Sequence, residues 1–243
     1  MHINILTIFP EVFDALNYGV IGKAKTNKSF SIKLQDIRDY PVNKHGQIDS
    51  KPYGGGEGMV MMAEPLKKSL NNIPKEKLGK VIYLSPQGAL FNNTKAKKLS
   101  KEPSVTFICG RYEGIDQRFI DKYVDEEISI GDFIISGGEI AALCIIDSII
   151  RHIPGVLGNK DSSKNDSFSN GLLKGPQYSR PEVFEEISVP DILLSGDHKK
   201  IKEWKDLKSI EATIIRRPDL LNNVKLTKKQ RKLLEDLASQ SIL

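Results

Sequence analysis

Val105-Thr106-Phe107-Ile108-Cys109-Gly110-Arg111-Tyr112-Glu113-Gly114-Ile115-Asp116 is an apolar run that breaks into a loop framed by glycines. A short continuous apolar run closed by glycine is the pattern of a strand buried on both faces, as in a parallel sheet. The run at residues 81–84 repeats it and leads into Leu84-Ser85-Pro86-Gln87-Gly88. A third loop, Ser129-Ile130-Gly131-Asp132-Phe133-Ile134-Ile135-Ser136-Gly137-Gly138-Glu139, is equally rich in glycine. Ligands of open α/β sheets bind in the crevice outside the carboxyl ends of the strands. The three loops are therefore predicted to converge on one pocket. Glycine there lets a ligand approach the backbone, and each exposed amide can hydrogen-bond it.

Working outward, residues 3–9 and 30–37 read as further strands, and Pro10 stands at a favourable first helical position. Residues 59–62 form a short strand before a helix over 64–70. A helix over 93–100 has Asn92 as its cap, and another covers 116–123. Short strands are predicted at 127–130 and 133–135. A helix over 139–153, apolar nearly all round and so buried, ends at Pro154-Gly155. This alternation predicts an α/β domain over residues 1–157, a parallel sheet with helices on both faces. Residues 158–170 are polar, turn-rich and aperiodic, a flexible linker. Helical patterns at 190–204, 210–215 and 227–238 predict a small, mostly helical domain over 171–243.

Of the 243 residues, 39% are apolar and 28% charged, the proportions of a soluble globular protein. The longest apolar stretch, 140–150, is interrupted by Asp147 and is too short to span a bilayer. Met1-His2-Ile3-Asn4 lacks the basic region and cleavage site of a signal peptide, which predicts a cytoplasmic protein with no membrane partner. Cys109 and Cys144 have apolar neighbours and no CxxC spacing, so both read as core residues. The four histidines are scattered, and no metal-ligating residue is assigned. From His198 to Lys232 the chain carries 12 lysines and arginines against Glu203, Asp206, Glu211 and Asp219, within a total charge of +5. A basic C-terminal region on a near-neutral body points to a polyanion held by one end.

Several motifs exclude themselves. Gly54-Gly55-Gly56-Glu57-Gly58 satisfies GxGxG, but it follows a polar segment and precedes a strand, not a helix. It reads as a loop near a ligand or RNA. No GxxxxGK[ST] or GxSxG occurs, and Cys109 has no histidine partner in sequence. Taken alone, Arg151 is a cation at a helix C-terminus and Asp166 a loop carboxylate.

In order along the chain, the three loops join Ile8-Phe9-Pro10, Pro52-Tyr53-Gly54-Gly55-Gly56, Arg151-His152-Ile153-Pro154-Gly155 and Asp166-Ser167-Phe168. Tyr178-Ser179-Arg180-Pro181, Leu193-Leu194-Ser195-Gly196-Asp197-His198 and Arg217-Pro218-Asp219-Leu220 complete the set. Over nearly its full length the chain resembles the bacterial tRNA (guanine-N1)-methyltransferase family, of the SPOUT class. It departs from that pattern at Glu57, Ala89, Phe133 and Lys205.

The resemblance implies methyl transfer from S-adenosylmethionine to N1 of the guanine 3′ of a tRNA anticodon (position 37), with guanine before it at position 36. It implies a C-terminal trefoil knot in the first domain, which chain-threading rules alone would not suggest. It also implies a homodimer with shared active sites and a magnesium requirement for turnover. The implied cofactor residues are Leu84, Ser85, Pro86 and Gln87 in the first loop, and Gly110, Tyr112, Glu113 and Gly114 in the second. In the third they are Ser129, Ile130, Gly131, Asp132, Phe133, Ile134, Ile135, Gly137 and Gly138. Tyr53, Gly54, Gly55, Ser195, His198 and Lys199 are implied RNA contacts. Asp166 matches the family's general base, and Arg151 the arginine that stabilises charge on guanine O6. Two rivals are a ribose 2′-hydroxyl methylase of the same fold and a non-catalytic RNA binder. The first would not need the base at Asp166, and the second would not need Arg151, Glu113 and Asp166 together.

Overall fold

The apolar runs assemble as their burial demands. The computed structural model describes residues 1–157 and 166–224, together with 226–227, 230–232 and 234. The chain divides into two compact units, Met1–Gly158 and Asn159–Leu243.

In chain order the first unit contains β1 (His2–Thr7), α1 (Gly19–Thr26), β2 (Ser31–Asp36), β3 (Asp49–Ser50), β4 (Val60–Met61), α2 (Ala63–Asn71) and α3 (Lys75–Leu78). There follow β5 (Lys80–Leu90), α4 (Asn93–Leu99), β6 (Ser104–Cys109), α5 (Gln117–Tyr123), β7 (Glu126–Ser129) and α6 (Gly138–Ile150). Five strands form one parallel sheet in the order β2-β1-β6-β5-β7. All six residues of β6 are buried, as a strand between two others and two helical layers must be. Alternate side chains serve opposite faces. Ile3, Ile5, Ile82, Val105 and Phe107 join Phe13, Leu99, Ile145 and Ile149 on one face. Leu6, Val81, Tyr83 and Ile108 join Leu66, Leu70 and Phe119 on the other. The α/β sheet covered on both faces is thus observed.

The expected cap at Asn92 is formed, and Asp116, expected as the first residue of its helix, caps it instead. Asn92 accepts from the Lys95 amide at 2.9 Å, and Asp116 from the Arg118 amide at 2.9 Å. Pro10 opens a 3-10 helix, Pro10–Asn17, rather than an α-helix.

Three expectations are corrected. First, residues 84–88 do not leave the sheet as a loop. They are a bulge inside β5, which pairs Leu84 with Ile128 and, past the bulge, Ala89 with Ile128 again. Second, residues 133–135 are not a strand. They belong to the turn-rich stretch after β7, the sheet's edge, and Phe133 and Ile134 are exposed. Third, the buried helix stops at Ile150, and only one side of it is buried. Ile140, Cys144 and Asp147, at spacings of four and three residues, form the exposed stripe. Cys144 is accordingly not a core residue, whereas Cys109 is. The glycine stretch at 54–58 is a loop as expected, and it connects the antiparallel pair β3–β4 as a hairpin.

Glu126, at the start of β7, accepts from Lys80 Nζ and Lys95 Nζ, each at 2.5 Å. Burial pushes its carboxyl up, but the two ammonium hydrogen bonds outweigh that and hold it below the usual range. A carboxylate lowered on folding contributes stability above its unfolded pKa, and that stability disappears as pH falls through the folded value. Glu126→Gln is therefore expected to cost roughly 1 kcal/mol at neutral pH. In urea titrations the gap between variant and native chain should close as pH drops below about 4. A gap that persists in acid would show that the pair does not act through its charge.

In the second unit, β8 (Val183–Phe184) and β9 (Ile187–Ser188) form an exposed antiparallel hairpin that the sequence reading missed. It is followed by α7 (Asp191–Leu194) and α8 (His198–Arg216). The helices expected at 190–204 and 210–215 are redistributed. The break falls at Gly196, whose φ is +72°, and Asp197 then caps α8 by accepting from the Lys199 and Lys200 amides. From there α8 runs unbroken and packs Ile210 and Ile214 on Leu172, beside Leu221 and Val224. Most of the helix expected at 227–238 lies outside the described residues, as do residues 158–165 of the expected linker. The rest of that linker is ordered. The Ser169 amide donates to the Asp166 carbonyl at 3.2 Å, Phe168 N–H to Leu172 O at 2.7 Å, and Lys174 N–H to Ser167 Oγ at 3.0 Å.

Candidate active site

A cavity of about 450 Å³ opens at the bulge of β5 and the carboxyl ends of β6 and β7. Its walls are the three glycine-rich segments. Each is shaped by a local constraint that its sequence meets. In the β5 bulge, Ser85 Oγ accepts from the Gln87 amide at 3.1 Å, and Gly88 lies flat on β7. After β6 the chain turns through Tyr112 and Gly114, both at positive φ. After β7, Ser129 Oγ accepts from Gly131 N–H at 3.2 Å. The chain then comes back to β6. Gly138 N–H donates to Gly110 O at 2.9 Å, and a Cβ on Gly138 would stand 2.8 Å from Cys109 Cα.

The β3–β4 hairpin braces the second loop from outside. Glu113 N–H donates to Met59 O at 2.9 Å, and Met61 N–H to Gly114 O at 3.0 Å. Burial raises the Tyr112 phenol, as does its hydrogen bond to Asp49 of β3. Tyr83 is pushed up to about 12, chiefly by burial and then by Glu127 nearby, so this wall presents a neutral hydroxyl. Tyr53 stands at the hairpin tip, 99% exposed, beside Gly54 and Gly55 at positive φ.

Of the residues expected to hold a cofactor, all but Asp132 line this cavity. The sequence reading missed Tyr83, Arg111, Ile115, Gln117, Ile120, Ile128, Ser136 and Ala141. Tyr83 and Ile128 could have been found from strand alternation. Gln117, Ile120 and Ala141 line it from helices, and which turn of a helix faces a pocket is set by packing.

The expected catalytic pair lies elsewhere. Arg151 follows the last residue of α6 in helical conformation, is exposed, and does not line the cavity. Its neighbour His152 is tied to Asn93 Oδ1 through Nε2 at 2.8 Å. Asp166 belongs to the second unit, where it lines a groove of about 560 Å³ with His198, Lys174, Lys202 and Lys205. That groove brings two sequence-predicted residues, Asp166 and His198, together. Ser195 and Lys199 sit near the α7–α8 corner and are not among its lining. Among the described residues no group of three or more His, Cys, Asp or Glu side chains could hold a metal ion. No helix among them is long and apolar enough to cross a membrane.

Residues 1–223 match the family model described as tRNA (Guanine-1)-methyltransferase TrmD. A tRNA (guanine-N(1)-)-methyltransferase of Clostridium novyi (strain NT) is 51% identical over 97% of both chains. A protein of the same name from Clostridium botulinum (strain Loch Maree / Type A3) is 49% identical over 97% of this chain and 98% of its own. Another, from Clostridium botulinum (strain Alaska E43 / Type E3), is 50% identical over 96% and 98% respectively.

Proposed function

Because the chain belongs to the tRNA (guanine-1)-methyltransferase family and is an enzyme that methylates tRNA guanine at N1, we propose that its loop cavity holds S-adenosylmethionine. The target in this reading is the guanine 3′ of the anticodon (position 37), with guanine at position 36. The observation that carries it is the cavity itself, set at parallel strand ends and of a volume usual for small-molecule sites. Bound there, the donor supplies a methyl group on a sulfonium. Backbone amides of the three segments hold it, and Glu113 stands as an acidic neighbour.

Guanine N1 carries a proton at neutral pH, so its lone pair is not free to attack. Asp166 takes that proton as general base, within hydrogen-bond reach. Negative charge then moves toward O6, where the Arg151 guanidinium stabilises it as it develops. Arg151 and Asp166 belong to different units, and the reading brings them to one guanine through a homodimer with shared sites. The exposed α6 stripe with Ile140 and Cys144 supports such a partner. The third loop takes part in a trefoil knot. The second unit is the tRNA-binding domain, and its lysines along α8 neutralise phosphates. Ser195, His198 and Lys199 meet RNA there, and Tyr53, Gly54 and Gly55 from the hairpin tip. The base must leave its stack to react. The reaction takes place in the cytoplasm. Among the described residues no group of three or more His, Cys, Asp or Glu side chains stands together to hold a magnesium ion by protein ligands alone.

Labelled S-adenosylmethionine and two tRNA transcripts test the reading, one with guanine at the target position and one with adenine there. Transfer to the first alone, recovered as 1-methylguanosine, is expected. Label recovered on ribose, or transfer to both, would overturn it.

A further inference from the structure

The outer part of the third loop has little apolar burial, for Phe133 is 55% exposed and Ile134 83%, while Ile130 and Ile135 on either side pack on the core. Its far end is tied to the second loop by backbone, through Gly138 N–H on Gly110 O and a bridge between Arg111 and Gly137, and by one side chain. Arg111 Nη1 donates to the Ser136 carbonyl at 3.2 Å, and Nε to Glu139 Oε2 at 2.9 Å. The Glu139 side chain is 1% exposed, and its other oxygen accepts from Thr7 Oγ1 at 2.8 Å. The guanidinium also lies 4.5 Å over the Phe9 ring, and Phe9 N–H donates to Thr7 Oγ1 at 2.9 Å. A Cβ on Gly137 would come within 2.2 Å of Arg111 Nε, so glycine is what lets the fork lie against the chain.

We propose that Arg111 is a positioning residue for the methyl donor: it latches the third loop to the ends of β1 and β6 and so sets one wall of the cavity. This rests on the donor reading above. One acceptor of Arg111, the Glu139 carboxylate, is buried, and the other, the Ser136 carbonyl, lies at the surface. A buried carboxylate needs a paired cation, which lysine could provide. The second acceptor needs the planar fork, which lysine lacks. Arg111→Lys therefore keeps the partner of Glu139 and releases Ser136.

The test uses the full chain with Arg111→Lys and Arg111→Met, titrated with S-adenosylhomocysteine by calorimetry and followed by hydrogen exchange at residues 136–138. Arg111→Lys is expected to bind about tenfold more weakly, the loss of one charge-assisted hydrogen bond, and Arg111→Met, which loses both, more weakly still. KM for S-adenosylmethionine should rise likewise in Arg111→Lys, with kcat and KM for tRNA within about twofold of native. Exchange at 136–138 should quicken. Methylguanidine should restore part of the affinity of Arg111→Met where sodium chloride of equal strength does not. If Arg111→Met does not fold, Arg111→Lys decides alone. Native affinity in folded Arg111→Lys overturns the proposal, and a lowered melting temperature with unchanged affinity assigns Arg111 to stability only. Failure of the native chain to bind S-adenosylhomocysteine would instead remove the donor reading. Exchange at 136–138 would then still decide the latch, equal rates in native and variant overturning it.

Discussion

Asp166→Asn is expected to lower kcat by about a thousandfold while S-adenosylhomocysteine binds as it does to the native chain. The substitution is nearly isosteric. The turn that carries the residue uses the Asp166 backbone carbonyl, which accepts from Ser169 N–H, and Ser167 Oγ, neither of which the substitution alters. The variant keeps the shape of the side chain and loses its capacity to take a proton. Donor affinity should not change, because Asp166 lines a groove of the second unit and not the loop cavity. The residual rate of the variant should climb with pH, since solvent base must then remove the N1 proton. Single-turnover transfer on guanine-bearing tRNA, measured across pH, reads both effects. Native kcat in Asp166→Asn would remove the residue from proton transfer, and the other titratable groups that line that groove, His198 first, would take its place as candidates.

Gly88→Val is expected to cost at least about 3 kcal/mol and to abolish donor binding. A Cβ at position 88 would lie 2.3 Å from the Ile128 backbone nitrogen and 2.4 Å from the Glu127 carbonyl carbon. Backbone on backbone has no flexible end to move aside. Either β7 leaves β5, which opens the sheet beside the cavity, or the bulge lifts and Pro86 and Gln87 lose their place in the wall. Urea denaturation and S-adenosylhomocysteine titration would be run together. Ala89→Val serves as the control, because Ala89 is exposed in the same strand. Native stability in Gly88→Val would mean that the bulge is far more plastic than its register implies.

The pocket was legible because its parts are local. Residues 105–109 and 81–84 are apolar runs too short for helices, and each is followed by glycine, so strand, loop and ligand end could be read in one direction. What could not be read depends on neighbours far away in sequence. The bulge at 85–88 looks like a loop until β7 is present to receive Ala89 a second time. Residues 133–135 have strand-forming side chains but no strand beside them. The α6 sequence is apolar enough to be buried all round, and only its one-sided contact with the sheet reveals the stripe at Ile140 and Cys144. Arg111 stands inside a quoted loop, yet its partners Glu139, Ser136 and Phe9 are 25 residues or more away. Asp166 and Arg151 carry no local chemical signal at all. An aspartate in a polar turn and an arginine after a helix are ordinary, and they became candidates only through the resemblance.

The double pairing of β5 with Ile128 bears on how such a site can change over generations. The first wall of the cavity is part of the sheet ladder on both sides, so an inserted or deleted residue between 85 and 88 would shift the register of everything after it. The third wall is an exposed excursion fixed only where it begins and where it rejoins α6. Lengthening it at Asp132 to Ile134 leaves the ladder untouched. Descendants of this chain are thus free to vary that rim in length as well as in sequence, whereas at the bulge only substitution is open to them.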